Sequence, residues 1–207
     1  MSHPPAPWRL RGDAAILLAP VRLTATRAVH LPPGLTLVGV SGWTVGGVLL
    51  ARYDETATLP YHELIVFSGL ARPAGSARVA AIVSHLYVDS EASLAGGRAI
   101  WGLPKELADF GWSPARVTVR QAGRTLLDAR IRRRRGIRAP LPLLAPALGT
   151  LDGTPAVAVG RGILRGGPAL ARLEVPAESP FARLGLQGAR LGVAGSGLDL
   201  HFPAPRG

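Results

Sequence analysis

Short apolar runs bounded by glycine, proline or aspartate recur along most of the chain. Runs of this length, rich in β-branched residues and partly alternating with polar ones, are typical of strands. The predicted strands are Ala14 to Val21, Leu35 to Val40, Val45 to Tyr53, Tyr61 to Ser68, Val79 to Val88, Ala115 to Arg120, Thr125 to Ile131, Leu170 to Val175 and Leu198 to Phe202. The pattern therefore predicts a β-rich protein.

The connections between these runs are short. The segment from Gln121 to Arg124 contains Gly123, whose freedom to adopt a positive φ suits a tight hairpin turn. The apolar segment Leu141 to Leu151 contains two prolines and predicts a loop or a broken helix. A short helical turn is predicted from Pro180 to Leu184.

One stretch has the features of a helix, from Ser90 to about Trp101. Ser90 is a suitable N-cap, and the proline at position 104 cannot continue the helix. The pair Gly96 and Gly97 lowers helix stability, so either the helix is short or the glycines permit a close approach of backbones.

Many strands, few helices and hairpin connections predict an α+β fold. We expect a single domain over residues 1–207, with a twisted, mostly antiparallel sheet that forms a cone or barrel around an apolar cavity. The chain length is ordinary for one such domain.

Composition excludes several classes of site. The chain has no cysteine, which excludes disulfides and thiolate metal sites, and its five histidines lack ligand spacing. We expect no metal and no cofactor. No signal-peptide core or membrane-length apolar segment is present, so a cytoplasmic protein without membrane contact is expected.

The net charge of +11 raises the possibility of nucleic-acid binding. The main arginine cluster, Arg130 to Arg138, has no interleaved aromatic residues to stack on bases. We therefore favour a solvated or subunit-facing hairpin edge, keep a nucleic-acid binder as a third alternative, and expect a homo-oligomer.

The basic residues comprise 23 arginines and one lysine, Lys105. A guanidinium stays protonated and cannot form a Schiff base, whereas a primary amine can. The one lysine therefore either occupies a position that requires a primary amine or remains at the surface by chance.

The segment around this lysine resembles the signature of the acetoacetate decarboxylase family. The matching residues are Tyr87, Asp89, Gly97, Arg98, Pro104 and Lys105. An upstream Tyr-x-Glu, formed by Tyr61 and Glu63, is also similar to the family pattern, as is the preceding Asp54.

The resemblance implies a lyase in which Lys105 attacks the ketone of a small oxo acid. The resulting iminium accepts electrons from a bond that breaks, as in decarboxylation of a β-keto acid or a related aldol or dehydration step. It implies Glu63 as a second catalytic residue, and Tyr61, Tyr87, Arg98 and Trp101 as substrate-binding residues.

Simpler roles are open for the same residues. Glu63 can be a structural ion-pair partner, and Arg98 can simply tie down the end of the helix. The sequence also departs from the decarboxylase pattern: Asp13 stands where an arginine is expected, Val48 where a carboxylate is expected, Ala99 where a glutamate is expected, and Glu106 where a second lysine is expected. These departures put acetoacetate in doubt as the substrate. The alternative function is a non-catalytic small-molecule-binding protein of the same fold.

Overall fold

The fold is organised by one twelve-stranded sheet. The computed structural model describes residues 2–29, 34–133 and 138–205. The strands are β1 (Trp8–Arg22), β2 (Leu35–Val38), β3 (Trp43–Tyr53), β4 (Tyr61–Pro73), β5 (Ala80–Val88), β6 (Lys105–Leu107), β7 (Asp109–Ser113), β8 (Arg116–Gln121), β9 (Arg124–Arg133), β10 (Ala139–Leu151), β11 (Thr154–Glu174) and β12 (Gly188–Phe202). The predicted β-rich fold class is confirmed.

Strand pairing brings the sheet part of the way round on itself. Neighbouring strands follow the order β10-β5-β4-β3-β1-β12-β11-β9-β8-β7, and β10 also pairs with β11. The strands from β10 through to β11 therefore form a partly closed ring. The pairings are antiparallel except that β5 pairs in parallel with β6 and, over two residues, with β10.

Helical segments in the described part of the chain are short. They are α1 (Leu23–Arg27), α2 (Glu91–Trp101) and a 3₁₀ turn (Ala182–Leu184). The predicted helix is confirmed as α2, where the Ser90 side chain accepts a hydrogen bond from the Ser93 N–H. Gly102 ends it in the left-handed conformation. None of the described helices is long and apolar enough to span a membrane.

The prediction for Leu141 to Leu151 is wrong, because this segment lies within strand β10. The positions of Pro140, Pro142 and Pro146 differ by even numbers. Their nitrogens therefore point to the same edge of the strand. β10 pairs with β11 along its length but with β5 only at Ala147 and Leu148. Prolines are tolerated in strands with such a sparsely paired edge.

The hairpin prediction is confirmed, since β8 and β9 are joined by Ala122 and Gly123, both at positive φ. The arginine cluster lies on and after β9, where Arg130, Arg132 and Arg133 are exposed. Arg134 and Arg135 lie outside the described residues.

The two faces of the sheet differ in how they are filled. On β4, Leu64 faces a packed core that also contains Leu17, Leu127 and Phe181. Its neighbour Ile65 faces the inside of the ring, where the side chains surround a cavity. Because successive side chains of β4 point to opposite faces of the sheet, one side of the strand contacts the packed core and the other borders the cavity.

Candidate active site

Lys105 is the first residue of β6, which follows directly on the turn that ends α2. The parallel pairing places Lys105 opposite Leu86 of β5. Because neighbouring residues of a strand point to opposite faces, Lys105 faces inward with 2% exposure and Glu106 faces outward. The single lysine of the chain is therefore a buried amine.

The Lys105 amine has three polar neighbours. Its Nζ donates to Ser93 Oγ at 2.8 Å and lies 3.0 Å from Glu63 Oε1. The hydroxyl oxygen of Tyr61 lies 3.5 Å from it. Its environment therefore offers one carboxylate and two hydroxyls within reach of a proton.

The Glu63 carboxylate is held by two phenols. The Tyr53 hydroxyl donates to Oε2 at 2.8 Å, and the Tyr61 hydroxyl lies 3.4 Å from Oε1. Tyr53 and Tyr61 are paired across strands β3 and β4, with ring centroids 4.7 Å apart. A buried carboxylate with such donors is fixed in place and its charge is partly compensated.

Burial controls the ionisation of these groups. Desolvation lowers the pKa of Lys105 from its ordinary value, while the Glu63 carboxylate acts in the opposite direction. Desolvation, with the Glu63 charge added, raises the pKa of Tyr53 and of Tyr61 well above the ordinary phenol value. The phenols remain protonated donors at neutral pH, and the amine loses its proton more easily than an exposed lysine.

Helix α2 supplies the surface on which the lysine side chain lies. A Cβ added at Gly97 would overlap Lys105 Cδ and Cε, and one added at Gly96 would overlap the Trp8 ring. Ser93 precedes Gly97 by four residues and therefore shares its helix face. The glycine pair thus permits close contact without ending the helix.

A cavity of about 220 Å³ extends from these groups. Four of its lining residues place polar side-chain groups at one end, namely Tyr53, Tyr61, Glu63 and Lys105. The other lining residues are Trp8, Leu10, Ile16, Leu49, Ile65, Phe67, Ala81, Val83, Leu86, Trp101, Leu103, Leu144, Ala145, Pro146, Ala147, Leu200 and Phe202. The site is therefore a small polar centre at one end of an apolar cavity.

Four of the six residues predicted for the site lie together in this cavity: Lys105, Glu63, Tyr61 and Trp101. Two do not. Tyr87 lies on the other face of β5, in the packed core, where burial raises its pKa to about 12. Arg98 is exposed, and its Nε donates to the Lys105 carbonyl oxygen at 2.8 Å, so it fixes the backbone of the lysine.

Ser93, Tyr53 and Trp8 are parts of the site that the sequence reasoning missed. Ser93 could have been found from its four-residue spacing to Gly97, and Tyr53 from its place at the end of the predicted strand that precedes the strand beginning at Tyr61. The Trp8 ring, 5.6 Å from the Lys105 amine, carries no comparable signal because its strand was predicted to begin only at residue 14.

The positions that depart from the family pattern lie outside the cavity. Asp13 pairs with Arg52 at 2.8 Å, Val48 is in the packed core, and Ala99 is exposed on α2. Glu106 accepts a hydrogen bond from Gln121 at 2.9 Å. Glu106 therefore faces away from the amine.

These features define a class of protein: a partly ringed β-sheet with a buried, carboxylate-paired lysine in an apolar cavity. A family model described as acetoacetate decarboxylase (ADC) matches residues 1–145. The chain belongs to the acetoacetate decarboxylase family, as the resemblance in its sequence predicted.

Solved structures show the same fold. The acetoacetate decarboxylase from Legionella pneumophila aligns with a TM-score of 0.61 and 19% identity, covering 100% of this chain and 88% of that one. The enduracididine biosynthesis enzyme MppR with HEPES bound aligns with a TM-score of 0.60 and 15% identity, covering 98% and 88%.

Curated relatives match only a part of the chain. Protein NEOXANTHIN-DEFICIENT 1 from Oryza sativa subsp. japonica is 37% identical over 110 residues, which is 53% of this chain and 35% of that protein. The chain thus spans about a third of the length of the curated relatives that it matches.

Proposed function

We propose that this protein is a Schiff-base-forming lyase in which Lys105 is the nucleophile. The observation that carries the proposal is the position of its amine: it is buried, its pKa is lowered by desolvation, and it lies 3.0 Å from Glu63. Membership of a family that includes decarboxylases supports a lyase.

The proposed reaction begins when the neutral amine attacks the carbonyl carbon of the substrate. A C–N bond forms, the carbonyl oxygen takes up protons and leaves as water, and the product is a protonated imine. The bond between the carbons α and β to the imine carbon then breaks, and its electron pair forms the carbon–carbon double bond of an enamine as the iminium electrons move to the nitrogen. Protonation and hydrolysis return the free lysine.

In this proposal Glu63 moves the protons. Its carboxylate lies beside the amine, so it can accept the proton released on attack and return it to the departing oxygen. Tyr61 lies near both groups and can hold the carbonyl oxygen. Ser93 positions the amine through the 2.8 Å hydrogen bond.

A second candidate function is non-catalytic binding of a small molecule. The close Lys105–Glu63 contact favours this candidate, because an ion pair that stays intact holds the amine in its unreactive, protonated form. The two candidates differ in whether an adduct forms on Lys105.

The deciding experiment is borohydride trapping with carbonyl compounds, including pyruvate, acetoacetate and uncharged ketones. Intact mass and peptide mapping locate the adduct, and the single lysine leaves only the terminal amine to exclude. We expect an adduct on Lys105 with at least one compound. Analysis of the products then distinguishes decarboxylation from aldol cleavage.

Lys105→Arg is the matched control, since it keeps a cation but cannot form an imine. It should yield no adduct at position 105. If the folded wild-type protein is also not trapped by any compound that demonstrably binds, the lyase proposal fails and the binding function replaces it.

We also propose that the protein is a homo-oligomer that acts on a small molecule in the cytoplasm. The family relation supports the small-molecule ligand. Sedimentation of the full chain tests the assembly state, and a monomer at all concentrations would contradict it.

A further inference from the structure

The lining of the cavity carries information about the charge of its ligand. Among the described residues that line it, Lys105 is the one with a cationic side chain. The indole N–H groups of Trp8 and Trp101 are already used, since they donate to the carbonyl oxygens of Pro4 and Pro203. Besides these groups, the described lining offers the hydroxyls of Tyr53 and Tyr61, which are uncharged and lie within hydrogen-bond distance of Glu63. The described lining therefore provides no second cation to pair with a carboxylate.

The single cation is already matched by an anion. Lys105 pairs with Glu63, and a protonated imine would have the same partner. A substrate carboxylate would bring a second negative charge into the apolar cavity beside the first. An unpaired carboxylate costs several kcal/mol or more to move out of water in such surroundings, as an order of magnitude. An uncharged carbonyl group avoids this cost.

The cavity is also elongated. Tyr61, Glu63, Ile65 and Phe67 line it at alternate positions of β4, and Lys105 lies at the Glu63 end. At about 3.3 Å per residue, Glu63 to Phe67 covers about 13 Å. The space thus runs from the amine along the strand direction.

The far end of the cavity is open and continues as an apolar surface. Leu144 at this end is 63% exposed. On β1, cavity-lining Ile16 is followed on the same face by Leu18, which pairs with Leu191, and Leu191 pairs with Leu170. These three leucines are 46–71% exposed. A ligand longer than the cavity would therefore meet more apolar surface.

We propose that the cavity takes an uncharged aldehyde or ketone with an extended apolar tail in preference to a small oxo acid. The carbonyl group lies at Lys105 and the tail runs towards Leu144. The covalent part of this proposal rests on the proposed imine chemistry, whereas the preference for an uncharged ligand rests on the lining alone.

An uncharged substrate has no carboxylate to lose, so the fitting reaction is aldol cleavage of a β-hydroxy carbonyl compound. The hydroxyl proton passes to Glu63, the carbon–carbon bond breaks, and its electron pair moves to the iminium nitrogen as the enamine forms. The hydroxyl-bearing carbon leaves as a second carbonyl compound, which balances atoms and electrons.

The test compares 2-octanone with 2-oxooctanoate, which has a carboxylate in place of one methyl group. Two measurements are made on the wild-type protein: calorimetric binding without reductant, and borohydride trapping at Lys105. We expect 2-octanone to bind at a concentration at least tenfold lower than 2-oxooctanoate, pyruvate or acetoacetate, and to bind more tightly than acetone.

The two measurements separate the two proposals. Tighter binding of 2-octanone without any trapping leaves the ligand preference standing and removes the imine chemistry. Equal or tighter binding of the oxo acids, or no binding of either compound, overturns the preference whatever the trapping shows.

Leu49→Arg provides a variant test, because Leu49 lines the cavity and its replacement supplies the missing cation. It should shift the preference towards 2-oxooctanoate. Val40→Arg places the same charge at a position that is 79% exposed and does not line the cavity, and it should leave the preference unchanged. If Leu49→Arg does not fold, the wild-type comparison still decides.

Discussion

The two sides of strand β4 show how one sheet serves two purposes. Leu64 is fully buried in the packed core, among side chains that fill the space around it. Ile65, the next residue, borders the cavity. Both positions are aliphatic, so the difference lies in what surrounds them. The packed side stabilises the sheet, and the cavity side gives up packing to leave room for a ligand.

The comparison extends to charge. In the part of the chain that the structure describes, the one ion pair with both side chains buried is Lys105 with Glu63, and it lies at the cavity. Removing such groups from water costs free energy that their mutual attraction only partly returns. The cavity side is therefore expected to lower the stability of the fold.

The largest expected effect comes from truncation on the packed side. Leu64→Ala should lower the free energy of unfolding by about 3 kcal/mol, because it removes transfer energy and leaves a new void. Ile65→Ala should cost less, since Ile65 already borders an open space. Urea denaturation of both variants measures the difference. Equal losses would show that the cavity side is packed as tightly as the core.

The next effect is a gain in stability from removing the buried charges together. Lys105→Met with Glu63→Gln keeps an acceptor for Tyr53 and should raise the free energy of unfolding by about 1 to 2 kcal/mol, as is common for replaced buried ion pairs. Thermal and urea unfolding check this. A double variant less stable than wild type would show that the pair contributes net stability.

A third effect concerns the ionisation of the lysine. The Glu63 charge raises the pKa of Lys105 against the larger lowering by burial, so Glu63→Gln should lower that pKa further. Lysine labelled with ¹³C at Cε gives a single side-chain signal because the chain has one lysine. The pKa read from this signal should lie below the ordinary lysine value in wild type, and it should be lower still in Glu63→Gln.

The lowered pKa of Lys105 also determines how the stability of the fold depends on pH. A lysine pKa that is lower in the folded than in the unfolded protein makes the fold less stable as pH falls from the unfolded value of about 10.4 towards the folded one. If Lys105 titrates at a higher pH in Glu63→Gln than in wild type, the contact between Lys105 and Glu63 is contradicted.

The smallest effect is expected at an exposed ion pair. Hydrogen bonding from Arg9 lowers the pKa of Asp199 to about 2. Its stabilising contribution is present above the unfolded pKa of about 3.9 and is lost as pH falls towards the folded value. Because the pair is exposed to solvent and screened, Asp199→Asn should cost under about 1 kcal/mol at neutral pH. Acid unfolding curves of wild type and Asp199→Asn measure this loss. A loss well above this value would show that the Arg9–Asp199 pair is more than a weakly stabilising surface contact.

Sequence predicted the parts of the fold that depend on local patterns. The α2 helix follows from its cap at Ser90, and the β8–β9 hairpin follows from Gly123. The strand β10 was missed because prolines usually exclude a strand, and only the pairing shows that one edge of this strand is sparsely used. The first half of β11 was missed as well, although its partner β10 directly precedes it through the turn at Asp152 and Gly153, because glycines such as Gly160 and Gly162 interrupt its apolar pattern.

For the candidate site, the sequence predicted the residues that share the family signature. It could not separate Lys105 and Glu63 from Tyr87, because the side of the sheet on which a residue lies depends on tertiary packing. Nor could it show that Glu106 turns away to Gln121, which depends on where β6 sits beside β8.

The burial of Lys105 has a consequence for the handling of the whole protein. The chain carries its basic charge on arginine, and its sole ε-amine is 2% exposed. Acetyl donors, ubiquitin ligases and amine-coupling dyes therefore find no accessible lysine on the folded chain. Conjugation of Lys105 with a reagent too large to enter the cavity would instead report that the ring has opened, so this one residue can be used to detect local unfolding.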